Sequence, residues 1–179
     1  MEAKRMAITV SASPTALSWT NFTVSPGKIL DPADRTLVDA YTSFGYTFPD
    51  SAPASTDGVF RFPDVYTITI RPRASVWTGI AQTAALLSHE QWHYDVATIT
   101  GRALCRELAR LRADSLSELR TKMNEAVELH FHTRAGILQK RYDIDTRHGT
   151  NAHYQKIWKD RMTKTLADPT ADTIGGFWL

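Results

Sequence analysis

Cysteine is nearly missing from the chain: Cys105 is the only one among 179 residues. An internal disulfide is therefore excluded, and a thiolate metal site could draw on one sulfur at most. Charge of one sign is missing too. Lys and Arg number 21 against 19 Asp and Glu, a formal net charge of +2, too weak a field to imply a nucleic-acid or membrane partner. Arg102, Arg106 and Arg110 form a stripe at four-residue spacing, but no interleaved aromatics accompany it, so it reads as a solvated helix face. No segment approaches the ~18 apolar residues of a membrane span. The start, Met1 to Pro14, has basic residues but no apolar core of a secretion signal. The expectation is a soluble chain, cytoplasmic as encoded, with export by a signal-independent route left open. There is no internal repeat and no low-complexity tract.

What remains is ordinary globular material. The chain is 42% hydrophobic and 22% charged, long enough to bury a real core as one domain. Met6 to Ala12 and Leu17 to Val24 read as strands, as do Val59 to Phe62 and Val65 to Arg71. In the last, Tyr66, Ile68 and Ile70 share one face, which fits a half-buried antiparallel strand, and Pro72 is expected to end it. Asp31-Pro32 reads as a helix start, with a short helix through Tyr41. Thr47 to Gly58 is a loop by composition.

From Thr78 the character changes. Thr78 to Leu111 has no proline and only two glycines, Gly79 and Gly101. Apolar residues recur at three- and four-residue spacing, which predicts a helix from about Ile80 past His93. Ser115 to Glu118 is a capping-box pattern opening a second helix to about Lys140. Arg141 to Gly149 reads as a loop, Asn151 to Leu166 as a third helix, and Asp168 to Leu179 as an aromatic tail packed on the body or on a partner protein. Strands first and helices second argue α+β. The division is strand-rich 6–77, helical 78–167 and tail 168–179, within a single domain 1–179.

Inside the first helix lies His89-Glu90-Gln91-Trp92-His93, a His-Glu-x-x-His pattern. Residues four apart on a helix share a face, with Cβ atoms roughly 5–6 Å apart, so two imidazoles can reach one metal. Glu90 is rotated about 100° from His89, beside the metal, where its carboxylate can take a proton from a bound water. Zinc is the expected cofactor, because this pattern on a helix is the zinc-hydrolase signature. A catalytic zinc commonly has three protein ligands and an open position. The metzincin continuation is ruled out, since its glycine and third histidine would fall at Val96 and Ile99. Candidates for the third ligand are Glu118, Glu125, Glu128, His130, His132, Asp143, Asp145, His148 and His153, and spacing alone does not choose. Tyr142 to His153 concentrates two carboxylates, two imidazoles and a tyrosine. Asp143 and Asp145 read equally as turn residues or as acceptors that orient a ligand imidazole.

The segment Ala84 to Ala97, around that motif, resembles the central helix of a bacterial domain family of unknown function whose members are described as predicted secreted zinc-dependent proteases. Leu17-Ser18-Trp19-Thr20-Asn21-Phe22 is similar to its N-terminal strand. Ala74-Ser75-Val76-Trp77 is similar to the segment before its helix. Tyr142 to Gly149, with Gln155 and Trp158, is similar to its C-terminal signature. The resemblance covers most of Leu17 to Leu166. It implies a zincin-like fold, His89 and His93 as zinc ligands, Glu90 as general base and His148 as third ligand. Two departures stand out: no export signal is evident, and Trp92 replaces a residue that is commonly small. The expected function is a zinc metallopeptidase acting on a peptide or protein, with Tyr142 as a candidate oxyanion donor and Val65 to Arg71 as a substrate-pairing edge. The competing expectation is a non-catalytic zinc-stabilised domain or assembly subunit, whose sign would be an extra ligand from Asp145 or His153.

Overall fold

The computed structural model describes residues 7–50 and 53–179. Met6, the first residue of the expected first strand, lies outside them, as do residues 51–52 of the expected loop. The strands of the first half are β1 (Ala7–Ala12), β2 (Phe22–Ser25), β3 (Ile29–Leu30), β4 (Leu37–Val38), β5 (Ala40–Thr47), β6 (Ala54–Thr56), β7 (Val59–Arg61) and β8 (Val65–Trp77). The helices are α1 (Ala84–Arg110), α2 (Leu116–Val127), α3 (Ala135–Thr146) and α4 (Ala152–Ala167), and the tail forms β9 (Thr173–Ile174) and β10 (Phe177–Trp178). The fold is α+β, strands first.

β8 is the centre of the main sheet. Its side chains alternate without interruption: Tyr66, Ile68, Ile70, Ala74 and Val76 are buried on one face. β1 runs parallel beside residues 65–70 and β2 parallel beside 74–77, while β5 runs antiparallel beside 69–76. The sheet is therefore mixed, and the antiparallel expectation holds only for the β5–β8 pair. Pro72 does not end the strand. It falls where β1 has left that edge and β2 has not begun, so the missing N–H disturbs no ladder on that side. β1 covers one edge of β8 over residues 65–70 and β5 the other from Thr69 onward, so of the expected edge only residues 65–68 keep a side with no strand partner among the described residues.

Three local expectations fail for identifiable reasons. No helix follows Asp31. Its Oδ1 accepts the Ala33 N–H at 2.8 Å and its carbonyl accepts the Arg35 N–H at 2.9 Å. Arg35 then adopts a left-handed φ of 66°, so the turn closes on itself. Leu17 to Val24 is not all strand: Trp19–Asn21 is a 3-10 turn, locked by Ser18 N–H donating to Asn21 Oδ1 at 2.8 Å. Within the expected loop, β6 and β7 make a hairpin closed by Asp57-Gly58, at φ 53° and 78°, the pair a tight hairpin turn requires.

The helical half also runs further than its apolar pattern. α1 starts later than the expected Ile80, capped by Thr83, whose side chain accepts the Leu86 N–H at 3.2 Å. α2 is capped by Ser115 Oγ, which takes the Glu118 N–H at 3.1 Å. A π-helical segment, Glu128–Arg134, then joins α2 to α3 without a break, so Arg141 to Thr146 is helix, not loop. α1 is packed from both sides. Tyr94, Ala97, Leu104 and Leu108 meet the sheet, α2 and Phe131. Trp92, Val96, Ile99 and Ala103 meet α3, α4 and the tail. The tail lies on the body: Ile174 and Leu179 are buried and Phe177 stacks on Trp158. The arginine stripe helps hold it there. Arg102 donates to the Leu166 carbonyl, and Arg106 to those of Pro169 and Ala171, at 2.7–2.8 Å. No helix among the described residues is long and apolar enough to cross a membrane.

Candidate metal centre

Where α1 passes under β5 and faces α3, three donor atoms converge. His89 Nε2 lies 3.3 Å from His93 Nε2, and Asp143 Oδ1 lies 3.2 Å from the first and 3.1 Å from the second. All three residues are buried. Metal bonds of about 2.0–2.1 Å at tetrahedral angles place donor atoms about 3.3 Å apart. The triangle thus has the size of one face of such a coordination shell, and these residues lie close enough to hold a metal ion.

The helices explain the convergence. His89 and His93 are one turn apart on α1, and Asp143 projects from the last turns of α3. The π segment adds a residue per turn and so sets the phase in which α3 presents Tyr142 and Asp143 to α1. Tyr142 stacks on His89, ring centroids 4.7 Å apart, and on Trp92 at 4.0 Å. Its hydroxyl donates to Gln155 Oε1. Tyr142 is thus a buried wall against the His89 ring, with its hydroxyl, the expected oxyanion donor, engaged by Gln155. The Gln155 amide also meets His89 Nδ1 at 3.1 Å, fixing the ring from behind. Gly149, at φ 83°, completes this wall, because a Cβ there would come 3.1 Å from His89 Cγ.

Electrostatics follow from burial. Burial pushes the His89 imidazole down to about 4, against the pull of Asp143. Burial also opposes a charge on His93, yet the facing Asp143 outweighs it and raises the group. Asp143 answers in kind: despite burial, His93 and His89 hold its carboxyl below the usual range. Glu90, 2% exposed, is pushed up to about 7 by burial, with His93 pulling the other way. Its Oε2 has no hydrogen-bond partner among the described residues. Glu90, both histidines and Asp143 line a cavity of about 230 Å³, bordered also by Asp31, Tyr41, Thr42 and His148.

The residues expected from sequence are distributed unevenly. His89, Glu90 and His93 meet in the cavity. Asp143 is the donor that joins both imidazoles, while His148 Nδ1 stands 3.7 Å from Asp143 Oδ1 and groups with Asp143 and Asp31. His130 pairs with Glu107 at 2.6 Å and His132 with the Tyr46 hydroxyl at 3.1 Å. Asp145 accepts from Trp158 Nε1 and pairs with Arg141, and His153 is exposed. Neither Asp145 nor His153 joins the donor cluster, so the sign of a four-ligand structural site is not there. Sequence reasoning did not single out Asp31, read as a helix cap, or Tyr41; Gln155 it named only within the resemblance. Cys105 is buried and its thiol is pushed up to about 12 by burial, which leaves it inert. No family model, curated protein or solved structure matches the chain.

Proposed function

We propose that the chain is a zinc-dependent metallohydrolase acting on peptide bonds. The observation that carries this reading is the triangle of His89, His93 and Asp143 donors at 3.1–3.3 Å, with the buried Glu90, whose Oε2 has no hydrogen-bond partner among the described residues, in the same cavity. Two imidazoles and one carboxylate are a donor set used for catalytic zinc, which leaves a fourth position open. Zinc held there would activate a water and polarise the scissile carbonyl.

The chain's own groups then divide the work. Glu90, with its carboxyl near neutrality, takes a proton from the attacking water and returns it to the leaving amine. Asp143 balances charge between the two imidazoles, and Gln155 with Tyr142 holds His89 in place. Substrate binding falls to β5. Among the described residues no strand pairs with its second edge, and Tyr41 and Thr42 of this strand line the cavity. An extended peptide adding there would bring its backbone past the donors.

The test is metal content by mass spectrometry on chelator-free protein, with casein cleavage on the same samples. Wild type should carry zinc. Asp143→Ala should lose it. Glu90→Gln should keep zinc and lose cleavage. Wild type without metal overturns the proposal, and so does cleavage that survives in Glu90→Gln.

A further inference from the structure

Asp31 is an uncommon buried residue. It is 5% exposed, and among the described residues no Lys or Arg pairs with it. Its Oδ1 is used by the Ala33 N–H, and no described residue hydrogen-bonds its Oδ2. Buried carboxylates without a cation partner are rare unless a metal answers them. The same cavity holds Glu90 and Asp143, also buried and without Lys or Arg partners.

Beside Asp31 stand two further donors. Ligating atoms of Asp31, Asp143 and His148 lie within 4.8 Å of one another. His148 is already oriented for the task. Its Nε2 lies 3.4 Å from Asp34 Oδ2, and its Nδ1 faces Asp143. A carboxylate behind one ring nitrogen fixes the tautomer in which the other is a free donor, the usual support of a metal-ligating imidazole. The donors stand wider apart than the about 3.3 Å of a tetrahedral shell. His148 can close that gap, because its side chain is 36% exposed and follows the end of α3 in a left-handed turn at φ 49°. The unpartnered Glu90 Oε2 in this cavity is a separate sign that the polar lining is incomplete without a ligand.

We propose that the cavity holds a second divalent cation, on Asp31 and His148, with Asp143 shared between the two metals. This rests on the first metal at His89, His93 and Asp143. Mixed carboxylate and imidazole donors suit zinc or manganese. Paired metals of this kind clamp both the attacking and the leaving atoms of a displacement, so the second cation would face the substrate side of the cavity. Asp143 would then be the one residue on which both sites depend.

The test is metal stoichiometry after equilibrium dialysis against Zn²⁺, and against Zn²⁺ with Mn²⁺, on wild type, Asp31→Asn, His148→Ala and Asp143→Ala. Asp31→Asn keeps an oxygen for the Ala33 N–H, so the turn is preserved. Two cations per chain are expected in wild type, one in Asp31→Asn and in His148→Ala, and none in Asp143→Ala. A single cation in wild type under both dialyses, unchanged in Asp31→Asn, overturns the second site and leaves the first standing. Loss of all metal in His148→Ala, with a single cation in wild type, makes His148 a ligand of the first site and also overturns the proposal. No cation in wild type refutes the metal centre as a whole.

Discussion

Gln155 offers the sharpest way to ask whether His89 is built to hold a metal. A metal on His89 Nε2 puts the ring proton on Nδ1, and that proton then needs an acceptor. His89 is buried, and the only hydrogen-bonding contact to Nδ1 among the described residues is the Gln155 amide, at 3.1 Å. The amide NH2 faces the ring and Oε1 takes the Tyr142 hydroxyl. Turning the amide over presents Oε1 to the Nδ1–H and the NH2 to the Tyr142 oxygen, which then accepts where it had donated. Gln155→Leu keeps the bulk and removes the acceptor. Metal-free His89, held neutral by its low pKa, can carry its proton on Nε2 and loses only the neutral bond from the amide to its Nδ1 lone pair, about 0.5–1.5 kcal/mol. The metal-bound form is left with a buried N–H unpaired, a cost of about 1–3 kcal/mol. The difference, about 1–2 kcal/mol, corresponds to a zinc dissociation constant raised about 5- to 30-fold. Gln155→Glu, which retains an acceptor, should bind within a few-fold of wild type. The assay is competition against a chromophoric chelator at pH 7.5, with thermal unfolding of the metal-free proteins as the control for folding. Zinc affinity unchanged in Gln155→Leu would refute the argument that this amide serves the bound state.

Two further outcomes concern the scaffold of α1. Asp95 accepts a hydrogen bond from Gln91 Nε2 at 2.7 Å, and burial pushes its carboxyl up to about 6. A carboxyl raised above its unfolded value of about 3.9 favours the folded state only while protonated, so that contribution is full below about pH 4 and is lost as pH rises through 6. Asp95→Asn should therefore match wild type in urea unfolding at pH 4 and exceed it at pH 8 by at most about 3 kcal/mol; an equal difference at both pH values would contradict the burial argument. At Gly101 a Cβ would come 3.0 Å from Val10 Cγ2, 3.2 Å from Ile70 Cδ1 and 3.3 Å from Phe131 Cε1. Gly101→Ala gains about 1 kcal/mol of helix propensity but overpacks the seam between α1 and the sheet at about 1–3 kcal/mol. The melting temperature should fall by a few degrees, and a rise would mean that the seam has room to spare.

Different physical signals account for what the sequence revealed and what it hid. The His-Glu-x-x-His spacing, the cap at Ser115 and the alternation of Tyr66, Ile68 and Ile70 are local, and such local signals survive their tertiary context here. The third donor is not local. The apolar stripe of α2 loses its 3.6-residue period near His130, because Glu128–Arg134 is π-helical, and beyond that point the phase of a residue cannot be read from spacing. Tyr142 to His153 stood out by composition, yet which of its groups faced α1 depended on that phase, and Asp143 does. Asp31 misled for another reason. A carboxylate before a proline caps helices and closes turns by the same hydrogen bond, and only the left-handed Arg35 separates the two. Pro72 read as a stop because a sequence does not show that β1 and β2 share one edge of β8 with a gap between them.

The cost of this cavity to the fold points in the same direction as its geometry. α1 is buried against the sheet on one face and against α3 and α4 on the other, a position that apolar residues would fill with more stability. Instead it carries His89, Glu90 and His93 into the core. Glu90 Oε2 and His93 Nδ1 are left without partners among the described residues, at about 1–3 kcal/mol for each buried group left unsatisfied. Such groups scattered over a structure would be minor defects of packing. Here both belong to adjacent turns of one helix and to one cavity, opposite a carboxylate that already balances two imidazoles. Buried polar groups that oppose stability and line one cavity are the mark of a site and not of folding, and beside them His89 Nε2, His93 Nε2 and Asp143 Oδ1 lie 3.1–3.3 Å apart, close enough to hold a metal ion.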